Sequence, residues 1–230
     1  MTAGGVGIVR SVQEALPPVA RDFFAVVTHL GDPIFLGLLV VAFYYLRRDE
    51  TGEFVFGVAL GAVALTTGLK GAIARRRPPA ELRAVAESGY ALPSGHALGA
   101  TVVLFLLAEV ADVGERRLRY ATAAAVAGVV AFSRVAIGVH FPADVVAGVA
   151  VGGLYLVAVT YDGYDPEIAF SAALTVAVIG VALGSDYRLS VSVGLPLGGY
   201  VAHHTLADRY DFGDLLTDPD AVLVAFLPAV

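Results

Sequence analysis

The chain has 230 residues, 57% of them hydrophobic and 16% charged, with a mean hydropathy of +0.76 and a net charge of −6. A soluble domain carries about 25% charged residues, so this composition describes an integral membrane protein and argues against nucleic-acid binding. No cysteine is present, which excludes disulfides, thiol nucleophiles and cysteine-ligated zinc.

Residues 1–30 read as an interfacial amphipathic segment. Arg10, Glu14, Arg21 and Asp22 punctuate it, and Pro17-Pro18 breaks it. The same interruptions argue against a signal peptide. Residues 31–206 read as one transmembrane bundle, judged against the ~20 apolar residues a bilayer core requires. Its expected spans run from Pro33 to Leu46 (short, with Gly31-Asp32-Pro33 before it), Phe54 to Ala74, and Ser94 to Val110. They continue from Leu118 to Val139, Pro142 to Thr160 and Ile168 to Leu183. A weaker helix covers Leu189 to Leu206, and 207–230 is an acidic, then apolar, tail too short to span. The expected fold is therefore all-α: about six core helices, an N-terminal interfacial helix and a C-terminal extra helix. The glycine pairs 57/61, 148/152 and 194/198 have the spacing of close helix contacts, but a Gly/Ala-rich chain produces such pairs by composition alone.

Arg47, Arg48, Arg116, Arg117 and Arg119 fall in loops on one side of this topology, against Arg75, Arg76 and Arg83 on the other. The positive-inside rule puts the five in the cytoplasm. The opposite loops then face outward, from the plasma membrane. One lysine among 15 basic residues, against 21 acidic ones, fits either a high-salt habitat or coding bias.

Three polar blocks interrupt the apolar chain. The first is Lys70…Arg77-Pro78. Lys70 is the only lysine and lies near the end of a span, in a membrane where a charge costs about 2.5–3.5 kcal/mol and marks a functional site. It is seven positions before Arg77, which predicts two cations on one helix face before Pro78 stops the helix. Arg75 and Arg76 read as snorkelling anchors. The second block is Pro93-Ser94-Gly95-His96. Ser94 suits a helix N-cap, and the Gly95 and His96 amides then form an anion site at the positive helix end. The third is Ser133-Arg134…His140…Asp144. Pro142 suits N1, which makes Asp144 N3. From there a carboxylate reaches back toward His140, either to orient it as a nucleophile or merely to complement the helix dipole.

Taken together, the blocks resemble the type 2 phosphatidic acid phosphatase family, whose site is shared with vanadium haloperoxidases and bacterial acid phosphatases. Its pattern is a lysine, six residues, Arg-Pro; Pro-Ser-Gly-His; then Ser-Arg, five residues, His, three residues, Asp. This chain matches every position within about 55–160. Ala91 and Ala136 depart at flanking positions where serine and tyrosine are common. The resemblance implies that His140 attacks phosphorus, Asp144 orients it, and His96 protonates the leaving oxygen. Lys70, Arg77, Ser94, Gly95 and Arg134 would hold the phosphate oxygens, with no metal or other cofactor. The implied substrate is a lipid phosphate or prenyl diphosphate, met among membrane lipids. Phosphoryl transfer to another lipid uses the same set, whereas an anion binder or transporter needs only the cations. His29, His203 and His204 read as interfacial or bundle residues. The aspartates between 208 and 220 lack a terminal glutamate in calcium-loop register and read as a solvated tail.

Overall fold

The structure, a computed structural model, describes residues 3–47, 49–182 and 189–206. Among the described residues every regular element is a helix, as expected. Helices α1 (Ala3–Ala15) and α2 (Pro18–Val27) are separated at Pro17, and Pro18 starts the second in the position proline tolerates best. A 3-10 turn (Thr28–Gly31) leads into α3 (Pro33–Arg47). The α2–turn segment and α3 form a pair bent by 44° at that break. Then come α4 (Glu50–Ile73), α5 (Gly95–Val110), α6 (Arg116–Ala136), α7 (Pro142–Thr160), α8 (Pro166–Ala182) and α9 (Leu189–Leu206). The tail 207–230, with its aspartates, lies outside the described residues.

By length and composition, α4, α6 and α7 can each cross a membrane, the bent pair passes as one broken span, and α5 and α8 are shorter apolar helices. Ile34 and Leu38 on α3, and Val146, Leu154 and Val157 on α7, point outward. Apolar side chains presented to the surroundings in this way suit lipid rather than water.

The main core joins Leu36 and Val40 of α3, Phe54, Val55 and Val58 of α4, Leu98, Val102 and Leu106 of α5, Tyr155 and Val159 of α7, and Ala169 of α8. Two of the three glycine pairs make close contacts. A Cβ on Gly57 would lie 2.9 Å from that of Ala169 on α8, and one on Gly148 would lie 2.6 Å from the Ser94 carbonyl oxygen. The latter contact seats α7 against the start of α5, where the second polar block lies. Gly194 and Gly198 have nothing within 4 Å at the Cβ position, so there composition alone explains the spacing.

A second cluster lies at the end of the bundle that carries the polar blocks. Val9 of α1 is fully buried there with Ala97, Ala131, Val135, Phe141 and Val145. The Gln13 amide donates to the carbonyls of Leu82 (2.8 Å) and Ala136 (3.2 Å). The N-terminal segment thus packs over the site end of α6 and α7. The opposite end is closed by the Arg47–Asp112 pair (3.2 Å), the Arg116–Glu109 pair (3.0 Å) and a Tyr164–Glu109 hydrogen bond (3.0 Å).

Candidate active site

The three blocks converge at one end of the bundle. The first arrives by a different route from the one its spacing suggests. Helix α4 stops at Ile73, where Ala74 takes a left-handed conformation (φ 49°) and its N–H bonds back to the Lys70 carbonyl at 2.9 Å. Lys70 therefore sits in the last helical turn, and Arg77 lies beyond it in the 74–94 loop. The two cations are not on one helix face. The chain reversal brings them to the same place instead. The loop is tied down by Ala91 N–H to Arg75 O (2.8 Å) and Ala84 N–H to Ile137 O (2.9 Å).

Ser94 takes the N-cap position of α5, but its hydroxyl makes no capping bond. It is fully buried, with no hydrogen-bond partner among the described residues. Buried hydroxyls are almost always paired, and this one is an exception. Gly95 follows, and a Cβ there would lie 3.7 Å from the Lys70 ammonium nitrogen. A helix N-terminus, a hydroxyl and an ammonium thus share one small region. The Ser94 N–H bonds to the Asp144 carbonyl at 2.9 Å, which fastens the second block to the third.

In the third block, Pro142 is N1 and Asp144 is N3 of α7. The Asp144 carboxylate accepts the Phe141 N–H at 2.8 Å. The same oxygen lies 3.5 Å from His140 Nδ1, and both side chains are buried. Arg75 adds a contact that the sequence does not reveal. Its guanidinium pairs with the other Asp144 oxygen at 2.9 Å and lies over the Phe141 ring. It is an anchor for the site carboxylate rather than for the membrane surface.

Arg77 Nη1 lies 3.0 Å from His140 Nε2. A guanidinium can only donate, so Nε2 carries its lone pair and Nδ1 carries the proton that faces Asp144. Burial and then the charges of Arg77, Arg134 and Lys70 push the His140 imidazole well below the ordinary histidine range. Its neutral form is thereby favoured. Arg77 is itself buried and fixed by the carbonyls of Gly89 (3.1 Å), Ser88 (3.1 Å) and Val139 (3.1 Å).

Glu87, in the loop between the first two blocks, bridges the arginines. It hydrogen-bonds Arg134 and lies 3.4 Å from Arg77. Burial opposes its charge, yet Arg134 and Arg77 beside it hold its carboxyl below the ordinary glutamate range. It is therefore an anion seated on both arginines of the motifs. Arg134, 2% exposed, also donates to Thr28 Oγ1 at 2.7 Å, while its Nε has no partner among the described residues. The signal for Glu87 was an acidic residue inside a loop of cations, one that the pattern of three blocks passes over.

His96 lies in the first turn of α5, and its Nε2 is 2.7 Å from the Asp32 carboxylate. His29 contacts the other Asp32 oxygen at 2.7 Å. His203 pairs with Glu53 at 2.9 Å and stacks on Phe170, remote from the site, and His204 packs against Tyr200. Among the described residues, no three His, Asp or Glu side chains are placed to hold a metal ion.

A family model described as "PAP2 superfamily" matches residues 51–167. Phosphatidylglycerophosphatase B of Bacillus subtilis (strain 168) is 31% identical over 179 residues, which is 70% of this chain and 86% of that protein. A solved structure, of a transmembrane PAP2-type phosphatidylglycerolphosphate phosphatase from Bacillus subtilis, superposes with a TM-score of 0.61 at 29% identity. The match covers 67% of this chain and 81% of that one.

Proposed function

This chain belongs to the PAP2 superfamily, and from that membership we propose a membrane phosphatase that removes phosphate from a lipid phosphate through a phosphohistidine at His140. One observation carries the reading. The buried His140 presents an unprotonated Nε2 to a cluster of cations, while a buried carboxylate stands by its other nitrogen. An anion binder has no use for that arrangement.

In the first step Nε2 bonds to phosphorus and the bond to the lipid oxygen breaks. His96 gives a proton to that oxygen. Asp144, 3.5 Å from Nδ1, stabilises the imidazolium form of His140, and a hydrogen bond between them forms as charge develops. Lys70, Arg77, Arg134, the Ser94 hydroxyl and the Gly95 amide hold the equatorial oxygens, where transition-state charge collects. The phosphate takes the place of the Glu87 carboxylate on the arginines. In the second step water attacks phosphorus, His96 takes its proton, and the N–P bond breaks. The Bacillus relatives are named for phosphatidylglycerophosphate, which makes a glycerophospholipid phosphate the first substrate to try and a prenyl diphosphate the second.

Purified protein in detergent is expected to release phosphate from phosphatidylglycerophosphate or phosphatidate in the presence of EDTA, and vanadate is expected to inhibit it. The cations and amides supply the charge that a metal would otherwise supply. Activity lost in EDTA and restored by Mg²⁺ contradicts the metal-independent mechanism.

The site faces outward, on the arginine bias of the opposite loops. With no native cysteine, Ala86→Cys and Val113→Cys can be compared without background. Both positions are exposed. A membrane-impermeant thiol reagent on intact cells is expected to label position 86 and not 113. The reverse pattern overturns the orientation.

A further inference from the structure

We propose that Asp32 is the positioning residue for His96, so that the acid histidine has a carboxylate partner of its own, as His140 has Asp144. The proposal rests on the phosphatase reading. Asp32 lies outside the stretch matched by the family model, which begins at residue 51. It sits at the break between the Thr28–Gly31 turn and α3. The position is built from several directions. The Asp32 N–H bonds to the His29 carbonyl at 3.1 Å, and its own carbonyl accepts the Leu36 N–H at 3.0 Å. Pro33 fixes the chain direction after it. Before it, a Cβ on Gly31 would stand 2.5 Å from a Val130 methyl and 3.1 Å from the His96 Cβ. Only glycine lets this turn approach α5 and α6 closely enough.

The turn then serves two groups of the site. Thr28 accepts from Arg134 at 2.7 Å, and Asp32 holds His96 Nε2 at 2.7 Å. A general acid must begin as the imidazolium; burial and the charge of Arg134 oppose that form, and the Asp32 carboxylate on one ring nitrogen is the contact that favours it. It also fixes the ring, so the acidic proton sits on Nδ1. That proton passes to the lipid oxygen as the P–O bond breaks. His96 is left neutral, with Nε2–H still on Asp32. Nδ1 then accepts a proton from the attacking water, so no proton is gained or lost over the cycle. His29, which is exposed, holds the second Asp32 oxygen and completes the placement of the carboxylate.

General acid assistance is worth about 10²–10⁴-fold and matters least when the leaving group is already a stable anion. Turnover of a lipid phosphate and the single-turnover burst from p-nitrophenyl phosphate are compared in the wild type, Asp32→Asn, His96→Ala and the double variant. Asp32→Asn is expected to lose at least about 10-fold on the lipid, a part of that factor, and little of the burst. It is expected to add nothing to His96→Ala. A retained burst also shows that the variant folds. Equal loss on both substrates, or a double variant far worse than His96→Ala, overturns the role of Asp32 while the phosphatase reading stands. Failure of the wild type to release phosphate from either compound overturns both.

Discussion

His140→Ala is expected to lose all turnover with every phosphate ester, including p-nitrophenyl phosphate, while His96→Ala recovers much of its phosphorylation rate on the latter. In the proposed mechanism the two histidines contact the substrate in different roles. There Nε2 of His140 is the atom that bonds to phosphorus, and no leaving group substitutes for a missing nucleophile. His96 would supply only a proton, and a nitrophenolate departs without one. The rescue is therefore specific to His96 and should return a large part of about 10²–10⁴-fold. It is read as a burst of nitrophenol in a single turnover. A burst from His140→Ala, or equal rescue of both variants, means that the nucleophile is another residue.

Arg134→Ala is expected to lower turnover by about 10²–10³-fold, the usual loss for one donor to transition-state charge. It should also destabilise the protein. Arg134 is 2% exposed, and its partner Glu87 would remain seated on Arg77 alone. Breaking a buried ion pair costs about 3–5 kcal/mol, and less here because the Glu87 side chain is 24% exposed. The two effects separate with Arg134→Lys. A lysine keeps a cation beside Glu87 and should recover much of Tm, whereas turnover stays low because an ammonium lacks the guanidinium fork that grips two phosphate oxygens. Full recovery of turnover together with Tm would show that the fork of Arg134 is not needed at the phosphate.

The parts of the site legible in the sequence are those fixed locally. Pro142 and Asp144 start α7 because a proline at N1 and a carboxylate at N3 satisfy the first turn from within four residues. The carboxylate that caps the helix is then necessarily close to His140. Ser94 and Gly95 were legible as the start of α5, although the Ser94 hydroxyl makes no capping bond. Lys70 and Arg77 were legible as a pair but not in their geometry, because nothing short-range announces the left-handed turn at Ala74. Alanine is an uncommon residue there, and the spacing of seven suggests a continuing helix. Arg75, Glu87 and Asp32 were not legible as site residues. Each meets its partner across the fold, Asp32 at a separation of 64 positions, and each has an ordinary local role as an interfacial charge, a loop acid or a helix-breaking turn. The amphipathic reading of residues 1–30 recorded their mixed polarity but not the packing of Val9 and Gln13 against α6, α7 and the 74–94 loop.

The central claim is a covalent phosphate on His140, and His96→Ala with p-nitrophenyl phosphate is the most direct place to look for it. In that variant the first step is rescued by the leaving group, while the second still lacks the base that activates water, so the intermediate accumulates. The reaction is quenched in alkali, where an N–P bond survives, and the peptides are examined by mass spectrometry. The account predicts one phosphate on the peptide that contains His140, at nitrogen, lost on acid treatment and absent from His96→Ala/His140→Ala. A nitrophenol burst with no phosphate on the protein, or with phosphate on any residue other than His140, would contradict it.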